Sequence, residues 1–135
     1  SYATNNRSSD VIQNNGSVVF NVTDFQSLGI NISESKITLS NPGIYTFEFT
    51  IKGVSDVPLT FNVLANGSIP VYQSTFIGNT NYVFGNVYLS VPDSTHGINQ
   101  GVNNYIELRN ISGSVVTLGN GVLANNVTVK CLKIA

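Results

Sequence analysis

Residues able to do covalent or acid–base chemistry are few in this chain. There is one cysteine, Cys131, one histidine, His96, and seven acids: Asp10, Asp24, Glu34, Glu48, Asp56, Asp93 and Glu107. A Cys–His pair could generate a thiolate nucleophile, yet nothing local brings Cys131 and His96 together. A tetrahedral zinc site needs more His and Cys ligands than the chain has. His96 stands in Asp93-Ser94-Thr95-His96-Gly97, which offers a nucleophile, a base and an orienting acid by type. Such a triad converges from separate parts of a rigid frame, which adjacent residues on one loop rarely do, and no Gly-x-Ser-x-Gly turn is present. Loop decoration outweighs catalysis there.

The acids are scattered. A glycosidase needs two facing carboxylates, which only distant strands could supply, so solvated surface is the stronger reading. Glu107 and Arg109 share one strand face and can pair there. Gly119-Asn120-Gly121 lacks the lysine and the following helix of a phosphate-cradling loop. Oxygen ligands for calcium are plentiful, but no Asp-x-Asp-x-Asp-Gly loop occurs. The sequons at Asn21, Asn66, Asn110 and Asn126 are a chance product of a chain rich in Asn, Ser and Thr, and glycosylation is not predicted. Cys131 alternates with Val127 and Val129, as a small core hydrophobe does. No catalytic residue, cofactor or metal ligand is assigned.

Composition narrows the class. The chain has 135 residues, six Lys+Arg, seven Asp+Glu and a net charge of −1. Without a basic footprint, binding by phosphate neutralisation is excluded, and the same charge balance argues against a polybasic membrane-surface role. Charged residues are 10% of the chain, against about 25% in an average domain. Hydrophobic residues make up 41% and the mean hydropathy is +0.13, too apolar for a disordered chain. One cysteine allows no internal disulfide. No apolar run approaches the length of a membrane-spanning helix, and no signal peptide is visible. The chain opens at Ser1 rather than Met, which fits a piece of a longer protein.

The elements that must position these residues are strands. Short runs with period two are cut by Gly, Pro and Asn-Gly signals, and no sustained helical period occurs. Residues 1–15 are polar and expected to form a loose arm, leaving 16–135 as one domain. Strands are expected at Ser17–Val22, Lys36–Leu39, Ile44–Lys52, Leu59–Ala65, Ile69–Phe76, Tyr82–Val91, Asn104–Ile111, Ser114–Leu118, Val122–Leu123 and Val127–Ile134. Asn41-Pro42-Gly43 and Asn66-Gly67 are turn signals, because Pro presets φ while Asn and Gly accept positive φ. Residues 92–102 are a polar loop. About eight to ten short strands at this spacing predict an antiparallel sandwich or barrel.

The informative surplus is aromatic. A strand in a sandwich needs one apolar face, but Tyr82–Val91 has two. Val83, Val87, Leu89 and Val91 line one; Tyr82, Phe84 and Tyr88, interrupted by Asn86, line the other. Either the chain covers both faces itself or the aromatic face meets another chain, since exposed apolar patches mark interfaces and Tyr is enriched there. The second reading is the sharper one.

Asn41-Pro42-Gly43-Ile44-Tyr45-Thr46-Phe47-Glu48-Phe49 resembles the Pro-Gly-Ile/Leu-Tyr-x-Phe/Ile strand of the complement/tumour-necrosis-factor-like jelly-roll family. Ser33–Ser40 is similar to the short strand leading into it, and Val127–Ala135 is similar to the closing strand. Within that family the chain most resembles the C-terminal head domains of bacterial collagen-like spore-surface (exosporium) glycoproteins. The resemblance covers about residues 16–135. It implies a two-sheet jelly roll of about ten strands that forms a homotrimer on a collagen-like stalk, extracellular and at the spore surface. The family's inner sheet holds its first, third, sixth and last main strands. That places Tyr82, Phe84 and Tyr88, with Thr128, Lys130 and Leu132, at the threefold contact.

Two functions follow from different classes. One is a structural, non-catalytic trimerising head that serves assembly and surface contact, with a possible protein or glycan ligand, no nucleic acid and no membrane insertion. Low charge should make its assembly resist salt. The other is a carbohydrate-binding sandwich, as in an adhesin or a phage-fibre tip. They differ in whether the aromatics point into a subunit contact or into an open groove.

Overall fold

Alternation along residues 43–54 builds the centre of the molecule. Tyr45, Phe47, Phe49 and Ile51 are fully buried, while Ile44, Thr46, Glu48, Thr50 and Lys52 face outward. The computed structural model describes residues 1–5, 10–71, 73–92, 104–119 and 126–135. Among these the chain is all-β, with no helix. In chain order the strands are β1 (Tyr2–Asn5), β2 (Val11–Ile12), β3 (Val22–Phe25), β4 (Ile30–Ser33), β5 (Lys36–Leu39), β6 (Gly43–Val54), β7 (Thr60–Ala65), β8 (Ile69–Pro70), β9 (Phe76–Ile77), β10 (Tyr82–Val91), β11 (Asn104–Asn110), β12 (Val116–Leu118) and β13 (Val127–Lys133).

They form two antiparallel sheets. The seven-stranded sheet runs β2-β12-β6-β13-β1-β3, with β10 on the other side of β6. The six-stranded sheet runs β4-β5-β11-β7-β8, with β9 also on β7. Strands β6, β10 and β13, the third, sixth and last expected strands, therefore share one sheet as the resemblance implies, whereas the first, Ser17–Val22, bridges to β11 of the other sheet at Ser17↔Arg109, and β1 joins the seven-stranded sheet instead. Between the sheets lies one core. Val83, Val87, Leu89, Val127, Val129 and Cys131 come from one side, and Ile32, Ile37, Leu39, Phe61, Val63, Ile106 and Leu108 from the other. Phe49 packs edge-on against Phe76, with ring centroids 5.6 Å apart. Gly85 makes room for this pair: a Cβ there would stand 2.4 Å from Phe49 and 2.6 Å from Phe76.

Turn chemistry sets where β6 and β7 begin and end. The Tyr45 hydroxyl donates back to the Asn41 carbonyl at 2.7 Å, so a buried ring satisfies its one polar atom and ties the Asn-Pro-Gly turn to the strand. Asn66 and Gly67 both have positive φ, 53° and 83°, as a primed hairpin turn requires.

Three expectations are corrected. Residues 1–15 are not a loose arm throughout. β1 lies between β13 and β3, with Ala3 fully buried, and β2 pairs with β12; a small Ala fits the crowded inner face, and no apolar run is needed. Ser17–Val22 is not one strand. Its groups bond to two partners in turn, Val18 N–H to the Leu108 carbonyl at 2.9 Å and Phe20 N–H to the Glu34 carbonyl at 2.8 Å. Ile69–Phe76 shrinks to β8 and β9, because Pro70 has no N–H to give a ladder and Gln73 has φ of 54°. The expected segment Val122–Leu123 lies outside the described residues.

Candidate functional site: the outward face of β10, β6 and β13

Register decides which side chains meet on the outer face of the seven-stranded sheet. β10 pairs with β6 from Tyr82↔Lys52 to Val91↔Gly43, and β13 pairs with the other side of β6 from Val127↔Ile51 to Lys133↔Tyr45. Three rows result: Phe84–Thr50–Thr128, Asn86–Glu48–Lys130 and Tyr88–Thr46–Leu132. Strands two places apart are roughly 10 Å from one another, so all six residues assigned to the subunit contact lie on one continuous face. Tyr82 (40%), Phe84 (47%), Tyr88 (66%) and Leu132 (40%) are exposed to these extents. Lys130 is exposed and Thr128 half-buried. No described part of the chain covers the aromatics.

The middle of the face is hydroxyl-rich and self-satisfied. The Thr46 hydroxyl donates to Asn86 Oδ1 at 3.1 Å, and the hydroxyls of Thr50 and Thr128 are bonded to each other. Sequence reasoning missed two groups on this face. Ile44, 43% exposed, extends the apolar end beside Leu132. Thr46, Glu48 and Thr50 form its centre; their position between two aromatic- and leucine-bearing strands was the missing signal.

Chemistry elsewhere is sparse. Cys131 is fully buried, and burial pushes its thiol up to about 11, far from the reactive range. Glu107 accepts a hydrogen bond from the Ser35 hydroxyl at 3.3 Å, and Arg109 Nη2 donates to the Gly67 carbonyl at 3.3 Å, so each has a partner other than the one the sequence suggested. His96 and Asp93 lie outside the described residues, as do Asn120 and Gly121. Among the described residues no three His, Cys, Asp or Glu side chains group as metal ligands. A cleft of about 310 Å³ opens where the ends of β5, β10 and β11 meet β8, and among the described residues its lining holds no acid, histidine, lysine or thiol.

No family model matches the chain, and no curated protein matches it in sequence. Solved structures do match it. Murine APRIL at pH 8.0 superposes with a TM-score of 0.62 over 98% of this chain and 96% of that one, at 8% identity. Rabbit GITRL gives 0.52 over 78% and 77%, at 17% identity. The fold is a tumour-necrosis-factor-like jelly roll. PRD1 vertex protein P5 is also similar, with a TM-score of 0.50 over 99% and 94% at 15% identity. At these identities the jelly-roll likeness is one of architecture.

Proposed function

We propose that this jelly roll is a non-catalytic, self-associating head that forms a homotrimer through the outward face of β10, β6 and β13. The observation that carries this reading is the bare aromatic row. Tyr82, Phe84 and Tyr88 stand solvent-exposed on a face whose opposite side is already a complete core. Few charges interrupt that row: β10 has none, and the strands beside it add Glu48, Lys52 and Lys130 to the face. Large apolar side chains grouped on a surface are the usual mark of a contact that buries them.

The setting is part of the same proposal. The head tops a collagen-like stalk, extracellular, on a bacterial spore surface, where it serves assembly and contact with a surface ligand. Support comes from the likeness of Asn41–Phe49 and Val127–Ala135 to that family's strands and from the low charge. Labelling of intact spores with an antibody against this chain tests the location; absence of surface label removes it.

Light scattering on a sizing column tests the assembly. A mass near three times 14.5 kDa, unmoved by added salt, is expected. A single-chain mass overturns the trimer. It would favour the second reading, in which the open row of rings is a stacking platform for a sugar, and a glycan array would then decide.

A further inference from the structure

β10 is the longest edge strand among the described residues. Its ladder to β6 continues the bond from Gly53 N–H to the Asn81 carbonyl, 3.1 Å, so the odd-numbered residues of β10 hydrogen-bond to β6. The opposite side of β6 agrees: Lys52 N–H goes to the Asn126 carbonyl beside β13, at 2.7 Å. The main-chain groups of Phe84, Asn86, Tyr88 and Ser90 therefore point away from the sheet, and none is bonded among the described residues. A recess of about 320 Å³ lies between Gln73 and Asn86–Tyr88 along that rim.

The two edges of the six-stranded sheet at β8 and β4 are blunted. β8 has two residues, one of them Pro70, and the edge of β4 is capped where Ile32 N–H bonds to Gln26 Oε1 at 3.0 Å. β10 has ten residues, with no charge, no proline and an unbroken register. Such an edge templates another strand. The best-matched strand is β10 itself. Antiparallel pairing centred on Asn86 sets Asn86 against Asn86 and Phe84 against Tyr88 twice over, on one face, and such aromatic cross-strand pairs are favourable. No like charges oppose one another anywhere along the pair.

We infer that a chain whose threefold contact is broken pairs through β10 with a second copy of itself, and that the trimer serves in part to occlude this rim. The inference rests on the proposed trimer. The test breaks the trimer from β13, away from the rim. Leu132→Glu is expected to yield two-chain and larger species as protein concentration rises. Adding Asn86→Pro, which removes an outward N–H and leaves the ladder to β6 intact, should return the mass to one chain. Asn86→Lys, which sets like charges together at the centre of the pair, serves if the proline variant does not fold. A Leu132→Glu variant that stays a single chain at high concentration, or that associates equally with either rim substitution, overturns the inference. The trimer is judged separately on the wild-type chain. A wild-type dimer that Asn86→Pro dissociates would sink the trimer and uphold the rim contact.

Discussion

The two sheets turn very different outer faces to their surroundings. On the six-stranded sheet, Glu107 bonds to Ser35, Arg109 reaches the Gly67 carbonyl, and the Lys36 ammonium lies 4.6 Å over the Tyr105 ring. These charged groups each find a partner within the chain, although Arg109 Nε and the neighbouring Asn62 Oδ1 are buried without one. On the seven-stranded sheet, Tyr82, Phe84, Tyr88, Ile44 and Leu132 find none. Both faces are built on the same core by the same alternation, so burial alone does not distinguish them. What distinguishes them is whether the outward side chains complete one another. The first face is largely finished within the chain, and the second leaves its large apolar side chains in solvent, which is the basis of the proposed contact.

The contrast breaks most visibly at Tyr88. Tyr88→Ala is expected to weaken the trimer by roughly 2–4 kcal/mol for each large side chain removed from the interface while leaving the far-ultraviolet spectrum unchanged; equal mass and equal thermal stability would show that Tyr88 lies outside the interface. A second test uses neighbours on β13 that point opposite ways. Cys131 is sealed by the chain's own core, so it should resist thiol reagents whether or not the trimer forms, whereas a Leu132→Cys thiol should be protected in the assembly and react freely in a single-chain variant. Ionisation adds a sign to this. The folded thiol titrates at about 11 against an ordinary 9.0, so the unfolded chain ionises first. The thiol's contribution to stability should be full below pH 9 and fall by about 1.4 kcal/mol per pH unit between those values, as denaturant midpoints across alkaline buffers would show. The smallest effect belongs to the finished face: Arg109→Ala should cost about 1 kcal/mol of folding stability with no change in mass. A change in mass there would mean that the six-stranded sheet also takes part in assembly.

Much of this was legible in the residues. β5 and β10 begin and end where the alternation predicts, and the primed turn stands at Asn66-Gly67, because in each case local chemistry and tertiary demand agree. The two-faced pattern of β10 pointed to the exposed aromatics before any neighbour was known. β1 and β2 were not legible, since Tyr-Ala-Thr-Asn is short and largely polar and Val-Ile is only two residues long; they pair because β13 and β12 offer open edges. The bonds of Val18 and Phe20 to two different partners, and the break at Pro70 and Gln73, follow from where distant segments happen to lie. Ile44 went unrecognised on the face for a related reason: its neighbours there, Leu132 and Tyr88, come from strands nearly ninety and forty-odd residues further along the chain.

The place of β13 has a consequence in time. It is inserted between β6 and β1, and β1 in turn holds β3. Until residues 127–133 arrive, the sheet exists as two unjoined pieces, and the first strand of the chain has only β3 to lie against. Pairings such as Ala3↔Val129 close loops of nearly the whole chain, which places this molecule among the slow folders of its size. Its early strands must wait, half-made, for the last one.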